Sequence, residues 1–242
     1  MPHRSSHPAL GRVLTIAAAI ITVAGLVNCA TYPNPGRDGI LSGTLSSNSL
    51  RASARPRATL DQIMSGAAGT YIDRILADRD STIERWPDHL GRPLRIWIDS
   101  SSTIQGTQGG FPTAVRNAFS EWALTGIPMR FAFVDSPRDA DVRIRWTDHL
   151  DRKTGSTTWR TDRNGWLVSG DITLATHVSD GQALDARGMR AIALHEVGHA
   201  LGLSHSADPH DIMAPLVRVD GLSAPDRGTV KLLYSLPAGH IR

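Results

Sequence analysis

The stretch Ala191-Ile192-Ala193-Leu194-His195-Glu196-Val197-Gly198-His199-Ala200-Leu201-Gly202-Leu203-Ser204-His205 leaves this chain few ways to fold. Ile192, Leu194, Val197, Leu201 and Leu203 supply the apolar packing that would fix a helix against the body of a domain. His195 and His199 are four residues apart, so on that helix their imidazoles project from one face, one turn apart. Two nitrogens so placed can bind one Zn²⁺ at about 2.0–2.1 Å each. Gly202 stands where the helix should stop, because glycine tolerates the left-handed conformation that turns a chain sharply. The turn lets His205 swing back as a third nitrogen donor. Three neutral imidazoles leave a fourth position for water, as in a catalytic rather than a structural site. Glu196 adjoins the first ligand and can reach that water without binding the metal. A lone histidine is more often a packing or surface group, and the bare His-Glu-x-x-His spacing also arises by chance. Gly202 and His205 at fixed offsets make chance a poor explanation.

The preceding sequence reads as alternating elements. Leu60, Ile63, Met64, Ala67, Tyr71, Ile72, Ile75 and Leu76 recur at helical spacing and predict an amphipathic helix between Leu60 and Trp86. Leu94 to Asp99 alternates apolar and polar residues as a half-buried strand does. Pro112 opens a helix with Val115, Ala118, Phe119, Trp122 and Ala123 on one face, and Gly126 ends it. Strands are expected over Met129–Val134 and Asp141–Trp146, with Leu167-Val168 and Ile172–Leu174 following. The order predicts an α/β (α+β) architecture, a mixed sheet carrying helices.

The 242 residues suffice for one good-sized core, and the net charge of +3 is slight. Arginines are scattered, with no basic block interleaved with aromatics, so nucleic acid is not an expected partner. The single cysteine, Cys29, rules out an internal disulfide and a cysteine-based zinc site. Arg4 and Arg12 precede an apolar run from Val13 to Val27 that is short for a membrane span and suited to a signal peptide. Leu26-Val27-Asn28-Cys29 resembles a bacterial lipoprotein cleavage site, although Asn28 stands where Gly, Ala or Ser is usual. Lipidation of Cys29 would attach the domain to a membrane surface without spanning it. Ala30 to Thr59 is rich in Ser, Pro, Gly and Asn and reads as a flexible tether. The organisation expected is therefore a signal peptide (1–28), a tether (29–59), an N-terminal helical segment (60–92) and a catalytic domain (93–242). The chain is expected to be exported, to the medium or to the cell envelope, and to be a monomer.

The pattern HExxHxxGxxH from His195 to His205, with Met213 eight residues beyond, resembles the metzincin metallopeptidases. Within them it is most similar to the matrixins of the M10 type. Ser206 follows the third histidine as in that group, and Pro215 stands where other metzincins carry a metal-binding tyrosine. The resemblance implies a metzincin-like zincin fold: a mixed twisted sheet, an active-site helix, a Met-turn at Met213 and a C-terminal helix near Leu222–Tyr234 with Asp226 at its start. It implies one catalytic Zn²⁺ on His195, His199 and His205, and an apolar floor at Met213. Animal matrixins hold a second, structural zinc; His149-Leu150-Asp151 resembles the start of that site, but Thr173 stands where a histidine is expected. No structural zinc is expected, and His149 and His177 read as surface or packing residues. Calcium at Asp171 or nearby carboxylates stays open.

The chemistry so implied is peptide hydrolysis, with Glu196 as general base toward a zinc-activated water. The substrate, a peptide or protein, would lie extended beside a sheet edge that Thr157–Val168 could supply. Pro215, Leu216 and Val217 would wall the pocket beyond the cut. Two alternatives stand beside this reading: residues 60–92 could act as an inhibitory pro-segment, though they lack a cysteine switch, and the chain could be a non-catalytic zinc-bearing module tethered at the envelope. The intact Glu196 argues against the second.

Overall fold

The computed structural model describes residues 59–104 and 110–241. The expected signal peptide, Cys29 and nearly all of the tether lie outside the described residues.

Helices α1 (Leu60–Gly66) and α2 (Ile72–Asp78) and strand β1 (Thr82–Ile83) lead into strand β2 (His89–Ile98). Helix α3 (Phe111–Ala123), strands β3 (Met129–Val134), β4 (Val142–Thr147), β5 (Gly155–Thr161) and β6 (Leu167–Ala175), and helices α4 (Ala186–Ala200) and α5 (Ala224–Ser235) follow, before the short strand β7 (Gly239–His240). Five strands form one sheet in the order β3-β2-β4-β6-β5. All neighbours are parallel except β5, which runs antiparallel to β6 at the sheet's edge. The expected mixed sheet with helices is the fold observed.

Alternation along β4 decides which side faces the helices: Val142, Ile144 and Trp146 are buried, and Arg143 and Arg145 point the other way. On β6 the buried positions Ile172 and Leu174 continue that inner face. Helices α3 and α4 pack on each other, and the Trp122 indole N–H donates to Leu194 O at 2.9 Å, tying the two together. The sheet's outer face instead carries ion pairs. Asp171 accepts from Arg143 at 2.8 Å and Arg145 at 2.6 Å, which holds its carboxyl down at about 2.

The segment expected as one helix is two. Helix α1 is closed at its start by a capping box between Thr59 and Gln62, and the chain breaks at Gly69, whose φ is +71°. The break resets the helical phase: Ile63, Ile72 and Ile75 are buried, whereas Leu60 and Met64, placed on the same stripe by a continuous helix, are 57% and 64% exposed. Ile83 and Trp86 join the same core. Each such buried side chain contributes about 1.5–3 kcal/mol relative to exposure, so the segment is fastened to the domain. Strand β2 begins at His89, so the boundary expected at residue 93 falls inside a strand.

Candidate metal centre

Helix α4 starts at Asp185, whose side chain caps Gly188 N at 2.6 Å, and is buried along most of its length from Gly188 onward. His195, Glu196 and His199 are therefore set on an element that cannot shift without disturbing the core. Gly202, at φ +104°, ends it as expected, and its Cα faces Glu84 O so closely that a side chain would not fit. The turn carries His205 back toward the helix.

The three imidazoles converge. His199 Nε2 lies 3.0 Å from His195 Nε2 and 3.2 Å from His205 Nε2. Among the described residues this is the one group of three or more potential ligands whose donor atoms lie close enough to share an ion. The far side of two rings is fixed by backbone carbonyls: His195 Nδ1 sits 2.7 Å from Ile212 O, and His199 Nδ1 2.9 Å from Leu203 O. A carbonyl can only accept, so each Nδ1 carries the proton and each Nε2 presents a lone pair to the centre. Burial lowers both pKa values, that of His195 to about 4, which keeps the rings neutral. Lone pairs facing one another at 3.0–3.2 Å repel unless a cation lies among them. Nitrogens placed tetrahedrally around one Zn²⁺ sit roughly 3.3 Å apart, so the donor set fits that ion.

Glu196 is buried, and Thr157 Oγ1 on β5 lies 2.6 Å from Glu196 Oε2 and 3.1 Å from Glu196 O, so this hydroxyl can donate to either. Burial pushes the carboxyl up to about 7, with the Thr157 hydrogen bond and Lys153 pulling the other way. A dication in the adjoining triad would draw it down further. Strand β5 reaches this close because residue 155 is glycine: a Cβ there would overlap the Glu196 carboxylate. Below the helix, Met213 is fully buried, and a Cβ at Gly198 would strike its sulfur. The Met213 turn is closed by Ser206 N–H donating to Met213 O at 2.9 Å and by the Ser206 hydroxyl on Asp211.

Of the residues anticipated from sequence, His195, Glu196, His199, His205 and Met213 come together around α4. Pro215 and Leu216 are half-buried beyond Met213, whereas Val217 is fully buried and presents no surface to a ligand. His149 and His177 meet elsewhere, with ring centroids 5.4 Å apart. Gly155, Thr157 and Gly198 were not anticipated. A glycine inside a β-rich stretch is a cue to close backbone approach, so Gly155 carried a signal. Thr157 carried none, since it meets Glu196 across 39 positions of sequence.

The matrixin family profile, Peptidase_M10, matches residues 98–235. Metalloendoproteinase 1-MMP of Arabidopsis thaliana is 32% identical over 123 residues, 44% of this chain and 32% of the plant protein. Probable matrix metalloproteinase 095L of Invertebrate iridescent virus 3 is 29% identical over 134 residues, 50% of this chain and 37% of the viral protein. Matrix metalloproteinase-15 of Homo sapiens is 46% identical over 54 residues, 20% of this chain and 8% of the human protein. These relatives come from a plant, a virus and a mammal, so they lend nothing to a bacterial origin. The chain spans little more than a third, or less, of the length of each of them.

Proposed function

The chain belongs to the matrixin family, and on that premise we propose that it is a zinc-dependent endopeptidase with Glu196 as its general base. The observation carrying this reading is the convergence of three imidazole Nε2 atoms beside a buried carboxylate on the same helix.

His195, His199 and His205 hold the metal, two of them oriented by Ile212 O and Leu203 O. When bound, zinc lowers the pKa of a coordinated water and polarises the scissile carbonyl. Glu196 takes the proton from the attacking water and delivers it to the leaving amine. Thr157 keeps the carboxylate in one rotamer for both transfers, through the hydrogen bond at 2.6 Å. Met213, under Gly198, forms the apolar floor that keeps the helix at a set height. The substrate is a peptide or protein segment. It lies extended along the edge of β5 that no other strand covers among the described residues, adding main-chain hydrogen bonds as a further strand. Pro215 and Leu216 face the side chain beyond the cut, with Val217 behind them.

The same proposal takes residues 1–28 as an export signal and Cys29 as the attachment point for lipid. These features suit an enzyme working outside the cytoplasm or on the cell envelope, as a monomer. No helix among the described residues is long and apolar enough to cross a membrane.

Cleavage-site profiling of the purified chain against a diverse peptide library, with and without a chelator, tests the reading. Chelator-sensitive cleavage is expected, with zinc bound at one per chain. Stoichiometric zinc with no cleavage across the library would favour a metal-bearing binding module instead.

A further inference from the structure

The segment before β2 reaches the metal centre through a buried chain of hydrogen bonds that starts at Tyr71, apart from the Trp86 indole N–H that donates to Ala200 O at 2.7 Å. The Tyr71 hydroxyl donates to Asp226 Oδ1 at 2.9 Å. Asp226 Oδ2 accepts the Ile212 N–H at 2.8 Å, and Ile212 O accepts His195 Nδ1–H at 2.7 Å. Tyr71, Asp226, Ile212 and His195 are each at most 6% exposed, so water cannot replace any of these partners. The Tyr71 end is itself clamped: its backbone N–H donates to Thr229 Oγ1 at 3.0 Å. Around it Gly66 abuts Leu232, and Gly228 faces Thr70, so α1 and α2 lie close against α5.

Asp226 is shared between two tasks. Its Oδ2 also takes the N–H and hydroxyl of Ser223, at 2.9 and 2.8 Å, which cap α5. These donors all fall on one oxygen and leave the carboxylate free to rotate about its own axis unless Oδ1 is held. The Tyr71 hydroxyl is the group that holds it.

We propose that Tyr71 is a positioning residue of the metal centre, acting through Asp226 and Ile212 to set the ring of His195, and that the segment carrying it is a working part of the enzyme. This rests on the metal-centre reading above. An inhibitory cover would be expected to bring a donor to the metal. Among the described residues no group from this segment joins the histidine cluster, although Asp73 and Asp78 lie on α2. What the segment brings instead is a partner for Asp226.

The test compares Tyr71→Phe with Tyr234→Phe in the full chain. The Tyr234 hydroxyl is also buried, but it donates to Leu201 O at 3.0 Å, away from Asp226. Chelator competition gives the zinc Kd of each protein, and Co²⁺ loaded into the site reports ligand geometry through its visible absorption. Tyr71→Phe should raise the zinc Kd by about tenfold, the lower end of what outer-shell partners contribute, and shift the Co²⁺ bands. Tyr234→Phe should lower Tm while leaving both readouts at wild type. Unchanged Kd and bands in Tyr71→Phe, or equal changes in the two variants, would overturn the proposal. Intact mass of the most active natural species gives a second measurement that needs no variant. It should retain Tyr71, and an active form beginning downstream with undiminished zinc affinity would also overturn the idea. Wild-type protein that binds zinc tightly yet cleaves nothing would sink the peptidase reading and leave the metal measurements standing.

Discussion

Among the described residues two groups of histidines meet, and only one of them brings three donor atoms together. Around α4, His195, His199 and His205 bring Nε2 atoms within 3.0–3.2 Å of His199, and backbone carbonyls fix the opposite nitrogens of two rings. Just past the ends of β4 and β6, His149 and His177 stack edge to face, with His177 Nδ1 2.9 Å from the hydroxyl of Thr176 next door. His149 is exposed, and no third donor closes on the pair among the described residues. Proximity of rings is common to both places. The difference lies in what orients them: a helix buried on nearly every side for the first, and loop residues open to solvent for the second. A metal centre is thus a property of the packing behind the ligands as much as of the ligands.

The contrast can be broken most severely at the first group. His199→Ala should abolish both stoichiometric zinc and cleavage, read by metal analysis and peptide hydrolysis on the same sample. Glu196→Ala should retain zinc while kcat falls by about 10²–10⁴-fold, the range for a lost general base. Wild-type turnover in that variant would remove Glu196 from the mechanism. Gly155→Ala drives a methyl into the Glu196 carboxylate, and kcat should drop about 100-fold, as expected for a reacting group displaced by an ångström. Thr157→Val removes the buried donor to Glu196 with little change of shape, and a loss of about tenfold is expected. At the second group, His149→Ala and His177→Ala should leave zinc at one per chain and kcat/KM within about twofold. A drop in bound zinc from two to one would show that the second group holds a metal after all.

Much of the first group was readable beforehand, because its spacing is local. Positions 195 and 199 share a helix face by periodicity, and Gly202 marks the stop that returns residue 205. The strand from Asp141 was equally plain from alternation, and its burial follows it, whereas along the strand from Met129 only Met129 is buried and burial does not alternate. The N-terminal segment misled for a local reason too. Apolar spacing at 60–76 fits one helix, but Gly69 adopts φ +71° and the stripe splits, leaving Leu60 and Met64 in solvent. Binary pattern sees period, and it does not see where a backbone chooses to break it.

The amino-acid order by itself determined that three histidines and the carboxylate beside the first would gather at one helix and the turn after it, because these relations span at most a few turns of one chain segment. It also determined the sheet's inner and outer faces through simple alternation. Only the tertiary structure decided which groups stand behind that set. Thr157 and Gly155 reach Glu196 from an edge strand, Gly198 makes room for Met213, and Tyr71 meets Asp226 across 155 positions. Contacts of that separation depend on how sheet and helices stack, and close packing fixes them to within an ångström where sequence spacing carries no information at all.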